Sequence, residues 1–180
     1  MNFIVALMAT LLIPSVAFGL DMGKIGKAAG DVAVKEGAKA GKAEANKTVV
    51  NKVNAKLLAE GRKNQCSFKS GSDELEPGCD GKAKKLSAAL VDAKKVLTAG
   101  GLSGFKFVVS GHTDSSGDAK KNQELSEKRA QVMVKQLVAK GVPAGEIEAV
   151  GMGSSKLLVK PDTTDAKKAK NRRYEIQVKI

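Results

Sequence analysis

The chain has one histidine, two cysteines, one tyrosine, five phenylalanines and no tryptophan. A lone histidine excludes a multi-histidine metal site and most acid–base relays. Two cysteines cannot make a four-cysteine zinc centre, so no metal and no cofactor is expected. So few aromatics argue against the stacking platforms that bind single-stranded nucleic acid. Carboxylates are scarce beside cations: 19 Asp and Glu against 31 Lys and Arg, a net charge of +12 over 180 residues. Such an excess invites a nucleic-acid reading. The positive charge is not gathered into one stripe, however. Residues 20–64 hold 10 basic and 5 acidic side chains, and 65–180 hold 21 and 14. The length is room for one ordinary domain plus extra segments.

No charged side chain occurs from Met1 to Leu20, and Phe3 to Ile13 is almost wholly apolar. Pro14 and Ser15 break the run, and Ala17-Phe18-Gly19 puts small residues where a signal peptidase reads. This predicts a secretory signal, residues 1–19, cut after Gly19. The alternative is a retained anchor, since about 20 uncharged residues can just span a bilayer. Export removes nucleic acid as the usual partner of a basic chain. It also exposes Cys66 and Cys79 to oxidising conditions. A disulfide is expected rather than two buried thiols, closing a loop worth ~3 kcal/mol on the chain-entropy account.

Residues 20–64 form a Lys-, Ala- and Gly-rich arm without aromatics or proline. Val50, Val53 and Leu57 recur at helical spacing and predict a helix over about Thr48–Glu60. Upstream, Gly23, Gly26, Gly30, Gly37 and Gly41 each weaken a helix by ~1 kcal/mol relative to Ala. The arm reads either as a solvated spacer or as a helix that packs on a partner.

Residues 65–180 read as a compact unit. Cys66–Lys69 is a short strand around Phe68. Leu86, Ala89, Leu90, Ala93, Val96 and Leu97 mark an amphipathic helix over Lys82–Thr98. Phe105–Ser110 is a strand. Glu124–Lys140 is a helix with Ala130, Met133, Val134 and Leu137 inward, and Glu146–Val150 is a third strand. Tyr174, Ile176, Val178 and Ile180 alternate with polar residues in a final half-buried strand. The order β-α-β-α-β-β predicts an α/β sandwich: two helices packed on a mixed four-stranded sheet, preceded by the helical arm.

The dense chemical signal is Gly111-His112-Thr113-Asp114-Ser115-Ser116-Gly117, followed by Asn122 and by Leu125-Ser126-Glu127-Lys128-Arg129-Ala130. A strand ends at Ser110, so Thr113 and Asp114 sit at the carboxyl edge of the sheet, a usual place for ligands. The following helix can bring Arg129 to the same hollow. A carboxylate and a guanidinium side by side suit a zwitterion: the acid takes an ammonium and the Arg takes a carboxylate bidentately. On spacing alone, Asp114 can equally pair with Arg129 or cap the helix.

These motifs, with Phe68 to Pro77, Gly141-Val142, Gly151-Met152-Gly153 and Asn171-Arg172-Arg173-Tyr174-Glu175-Ile176, resemble the OmpA-like C-terminal domain family over about Cys66–Ile180. The resemblance implies non-covalent peptidoglycan binding in the periplasm, with or without association to the outer membrane. It implies the diaminopimelate of the peptide stem as ligand. Asp114 would receive its ammonium and Arg129 its carboxylate. Thr113 and Asn122 would add hydrogen bonds, and Arg172 would line the pocket. The chain departs from the family at Lys69, often Asp, at Leu157, often Pro, and at Lys167-Lys168, often Gly-Arg. No barrel or lipid-anchor cysteine is recognisable, so no outer-membrane tether is expected. No catalytic residue is expected either: His112 reads as a packing residue of the loop, and Gly151-Met152-Gly153 lacks the helix a dinucleotide loop needs. The competing reading is a basic exported protein whose residues 20–64 contact an envelope protein, a membrane surface or a host, with wall binding secondary.

Overall fold

The computed structural model describes residues 22–180 apart from Ser70, with side chains from Gly41 onward. The expected signal segment lies outside the described residues. The chain divides into two compact units, Met1–Gly41 and Lys42–Ile180; the packing described below belongs to the second. No helix among the described residues is long and apolar enough to cross a membrane.

Four helices and three strands follow in order: α1 Met22–Lys63, α2 Cys79–Ala99, β1 Lys106–Gly111, α3 Ala119–Ala139, β2 Ile147–Gly151, α4 Asp165–Asn171 and β3 Tyr174–Lys179. A single 3-10 turn, Ala144–Glu146, leads into β2. The sheet order is β2-β1-β3. β1 and β2 run parallel, as a strand–helix–strand crossover through α3 requires, and β3 is antiparallel to β1.

The core follows from two periodicities. Ala83, Leu86, Leu90, Ala93 and Leu97 of α2 and Ala130, Met133 and Leu137 of α3 are buried at three- and four-residue steps. Phe107 and Val109 of β1 and Tyr174, Ile176 and Val178 of β3 supply the matching sheet face. Val96, expected on the inner stripe, is 52% exposed. Val50, Val53 and Leu57 of α1 join the same core, at the helical spacing expected of them.

α3 lies directly on the sheet at two glycines. A Cβ on Gly111 would stand 2.1 Å from the Ser126 carbonyl oxygen, and one on Gly151 would stand 2.8 Å from the Gln123 carbonyl oxygen and Glu127 backbone nitrogen. Only hydrogen fits, which is why the helix can approach so closely. Gln123 Nε2 donates to Gly151 O at 2.7 Å, and the Gly153 N–H donates to Ser126 Oγ at 2.8 Å.

The expected fourth strand is not in the sheet. Phe68 forms an isolated antiparallel bridge with Leu75. Lys69 N–H donates to Glu74 O and Glu76 N–H to Ser67 O, at 2.9 Å each, so the segment folds back on itself. The edge of β3 that a fourth strand would use is met instead by side-chain amides. Asn54 of α1 accepts from Val178 N–H (2.6 Å) and donates to Val178 O (3.4 Å). Gln65 does the same at Tyr174, accepting at 3.2 Å and donating at 2.8 Å. Each amide reproduces the paired donor and acceptor of a strand at the residue it meets.

Cys66 and Cys79 form a disulfide with Cα atoms 5.1 Å apart. It ties the Phe68 hairpin to the first residue of α2. Tyr174 reinforces this from the sheet: its hydroxyl donates to Asn64 O and accepts from Cys66 N–H. Burial pushes that phenol up to about 12, with the Cys66 N–H opposing.

Candidate functional site

β1 delivers the chain to the carboxyl edge at Gly111, and the loop beyond is held from both neighbouring strands. Met152 N–H donates to Gly111 O (2.9 Å), His112 N–H to Arg173 O (2.8 Å), and Thr113 N–H to Gly153 O (2.9 Å). Asp162 then fixes the turn. Its carboxylate accepts from the Ser115 hydroxyl, from Ser115 N–H at 2.9 Å, and from Asn171 Nδ2 at 2.9 Å. Those bonds, the Ser115 hydroxyl foremost, hold Asp162 down at about 2. Asn171 is fully buried and also binds the backbone at Leu158 and Val159. Asp162 therefore braces the neighbour of Asp114 against the neighbour of Arg172.

Asp114 accepts from Ser116 N–H at 3.0 Å and from Arg172 Nη1 at 2.8 Å. Burial works against its charge. The bonds from Arg172 and Ser116 outweigh that cost and keep the carboxyl below its usual range. Asn122, in the first turn of α3, donates from Nδ2 to Ser116 O at 2.8 Å. Thr113 is buried, and its Oγ1 has no partner among the described residues.

Arg129 stands on α3, which begins under an Asp118 cap that accepts from Lys121 N–H. Its side chain is buried, with the guanidinium 5.0 Å from the centre of the Phe68 ring. Nε donates to Ser72 O at 2.9 Å and Nη2 to Lys69 O at 3.3 Å. Burial lowers its pKa and the Arg172 charge lowers it further, while Asp114 and Asp73 oppose. A guanidinium has five N–H donors and stays charged. Only these two meet an acceptor among the described residues.

Asp114, Arg129, Thr113, Asn122 and Arg172 all line one cavity of about 1130 Å³. Asp114 and Arg129 do not pair with each other; the partner of Asp114 is Arg172. Lys69, one of the departures from the family pattern, contributes its carbonyl to Arg129 and pairs its ammonium with Glu74. Lys167-Lys168, another, lie within α4, a short helix between β2 and β3.

Several residues of the site had no assigned role in the sequence. Phe68 read as core, yet it carries the Arg129 guanidinium. Arg62 fell at the end of the arm and Gln65 at the start of the compact unit, yet both line the cavity. Asp162 has no local signature at all; only the fold brings it to Ser115. His112 is buried, and neither ring nitrogen has a hydrogen-bond partner among the described residues. Burial, aided by Arg173 and Lys156 and opposed by Glu175, lowers it to about 4. It is neutral near pH 7, so its 3.9 Å approach to Glu175 is not an ion pair.

The OmpA family profile matches residues 67–172. Outer membrane protein A of Klebsiella pneumoniae is 51% identical over 81 residues, 40% of this chain and 23% of that protein. The outer-membrane lipoprotein YfiB of Pseudomonas aeruginosa is 35% identical over 120 residues, 66% of this chain and 64% of that one. The chain thus spans a minor part of the first relative and just under two thirds of the second. Among solved structures, the peptidoglycan-associated lipoprotein from Burkholderia pseudomallei superposes with a TM-score of 0.50 at 23% identity, over 63% of this chain and 86% of that one. A putative MotB-like protein from Desulfovibrio vulgaris gives 0.54 at 21%, over 76% and 91%. At such identities the structures speak to the fold, and the profile, matched over more than half the sequence, speaks to descent: the chain belongs to the OmpA family.

Proposed function

We propose that this chain binds peptidoglycan non-covalently in the cell envelope, holding the diaminopimelate of the peptide stem in the Asp114–Arg129 cavity. One observation carries the reading. A carboxylate and a buried guanidinium with unused donors line the same cavity without neutralising each other. A zwitterion answers both. Its carboxylate takes the free N–H groups of Arg129. Its ammonium takes Asp114, whose two oxygens have room for a donor beside Ser116 and Arg172. Thr113 Oγ1 and the Asn122 side chain supply further hydrogen bonds. Family membership supports this reading, as does the fold shared with a protein named as peptidoglycan-associated. The role is binding rather than catalysis.

The test is co-sedimentation of the purified chain with diaminopimelate-type sacculi. The chain should pellet with the wall, and Asp114→Ala and Arg129→Lys should each stay in the supernatant while remaining folded by circular dichroism. If both variants pellet like the parent, the pocket assignment fails. Strong, salt-sensitive DNA retardation without wall binding would favour a basic-partner role instead.

A further inference from the structure

The cavity is larger and more positive than one zwitterionic end group needs. Its volume of about 1130 Å³ lies above the roughly 300–1000 Å³ of sites that enclose drug-sized ligands. Five cations line it (Arg62, Arg129, Lys170, Arg172 and Arg173) against three carboxylates (Glu76, Asp114 and Asp165). Glu175, outside the lining, answers Arg173, so an excess of one remains, and a zwitterion with no net charge leaves it unanswered. Arg172 is engaged with Asp114, Arg173 with Glu175, and Arg129 with the Ser72 and Lys69 carbonyls. Arg62 and Lys170 have no ion-pair partner among the described residues. Both are exposed, one in the last turn of α1 and the other in the last turn of α4. They therefore stand at the mouth, not on the inner wall where Arg129 is buried.

We infer that Arg62 and Lys170 form a second anion subsite at the mouth of this cavity, which takes a free carboxylate on the residue next to the zwitterionic one. The preferred ligand is then an acidic peptide rather than an isolated diamino acid. In a stem peptide that neighbour is a γ-linked glutamate, whose α-carboxylate is free unless amidated. The inference rests on the wall-binding reading above and deepens it. Arg62 lies outside the residues matched by the family profile, 67–172. The subsite therefore draws on α1, which gives that helix a part in recognition. Glu76 and Asp165, the remaining lining carboxylates, oppose the anion and keep the gain modest. An exposed ion pair contributes up to about fivefold in affinity.

Calorimetric titration of the chain with two soluble peptides tests this. One is L-Ala-γ-D-Glu-diaminopimelate; the other is the same peptide with the glutamate α-carboxylate amidated. The parent should prefer the acid form by roughly two- to fivefold, with the preference shrinking in high salt. Arg62→Gln and Lys170→Gln should each narrow the preference, and the double variant should erase it, its affinity for the acid form falling to that for the amide. Equal binding of both peptides by the parent overturns the subsite while leaving the diaminopimelate pocket standing. A preference that survives the double variant overturns it too. If the parent binds neither peptide, the wall-binding reading has failed and the subsite falls with it.

Discussion

Replacing Asp114 by Asn separates charge from shape at the centre of the site. The amide is isosteric, and its oxygen can still accept the Ser116 N–H that Asp114 now accepts at 3.0 Å. The structural loss is the ion pair with Arg172, whose side chain is 42% exposed. Pairs of that exposure contribute about 0–1 kcal/mol. For a domain of this size that is a fall in Tm of about 2–4 °C at most. The loss in binding should be larger. A truncated charge pair that is desolvated in a complex costs about 2–5 kcal/mol, and the lower figure is already about 30-fold in Kd. Titration with free diaminopimelate and sedimentation with sacculi should both show this drop, while thermal unfolding shows a small shift. The reasoning is refuted if Asp114→Asn binds within threefold of the parent. It is also refuted if the loss of binding is matched by a collapse in Tm, because Asp114 would then be holding the loop rather than the ligand.

Four further outcomes are expected of the same structure. Gly111→Ala should destabilise the chain by about 3 kcal/mol or more in urea unfolding, because its Cβ would collide with the Ser126 carbonyl, which is backbone and cannot swing away. Reduction of Cys66–Cys79 should cost ~3 kcal/mol on the loop-entropy account and weaken binding as well, since the bridge anchors the hairpin carrying Phe68 and the carbonyls that hold Arg129; melts and titrations with and without reductant decide this. Asp162→Ala should weaken ligand binding by freeing Ser115 and Asn171 together, whereas Ser115→Ala alone should do less. His112, lowered to about 4, binds its proton more weakly in the folded chain than in the unfolded one. Its contribution is complete above about pH 6.5 and is lost as pH falls toward 4, by at most about 3 kcal/mol. His112→Gln should flatten that part of a stability-versus-pH curve, while the protection from depressed Asp162, present above about pH 4, should fade only as pH falls toward 2.

Local pattern was sufficient wherever a residue's place depends on its near neighbours. The strict alternation at Tyr174–Lys179 and the three- and four-residue steps of Leu86, Leu90, Ala93 and Leu97 are imposed by strand and helix geometry, and both appear as expected. The loop Gly111–Gly117 and the helix bearing Arg129 were readable because one follows directly on the other, so their meeting at a cavity needed only a short turn. The expected export and the lone cysteine pair were enough to anticipate the disulfide. Tertiary structure alone decided what depends on distant partners. Cys66–Lys69 has a strand's composition, but Asn54 and Gln65 already occupy the backbone of Val178 and Tyr174 on the β3 edge, and a strand needs an edge as well as a pattern. Asp114 takes Arg172 rather than Arg129, because Asp162 braces the two loops that carry that pair while backbone carbonyls and Phe68 hold Arg129 apart. The scarcity of histidine and cysteine turned the sequence reading toward charge and hydrogen bonding. Which of those charges pair across the cavity was decided by long-range contacts, because Asp114 and Arg172 lie far apart in the chain.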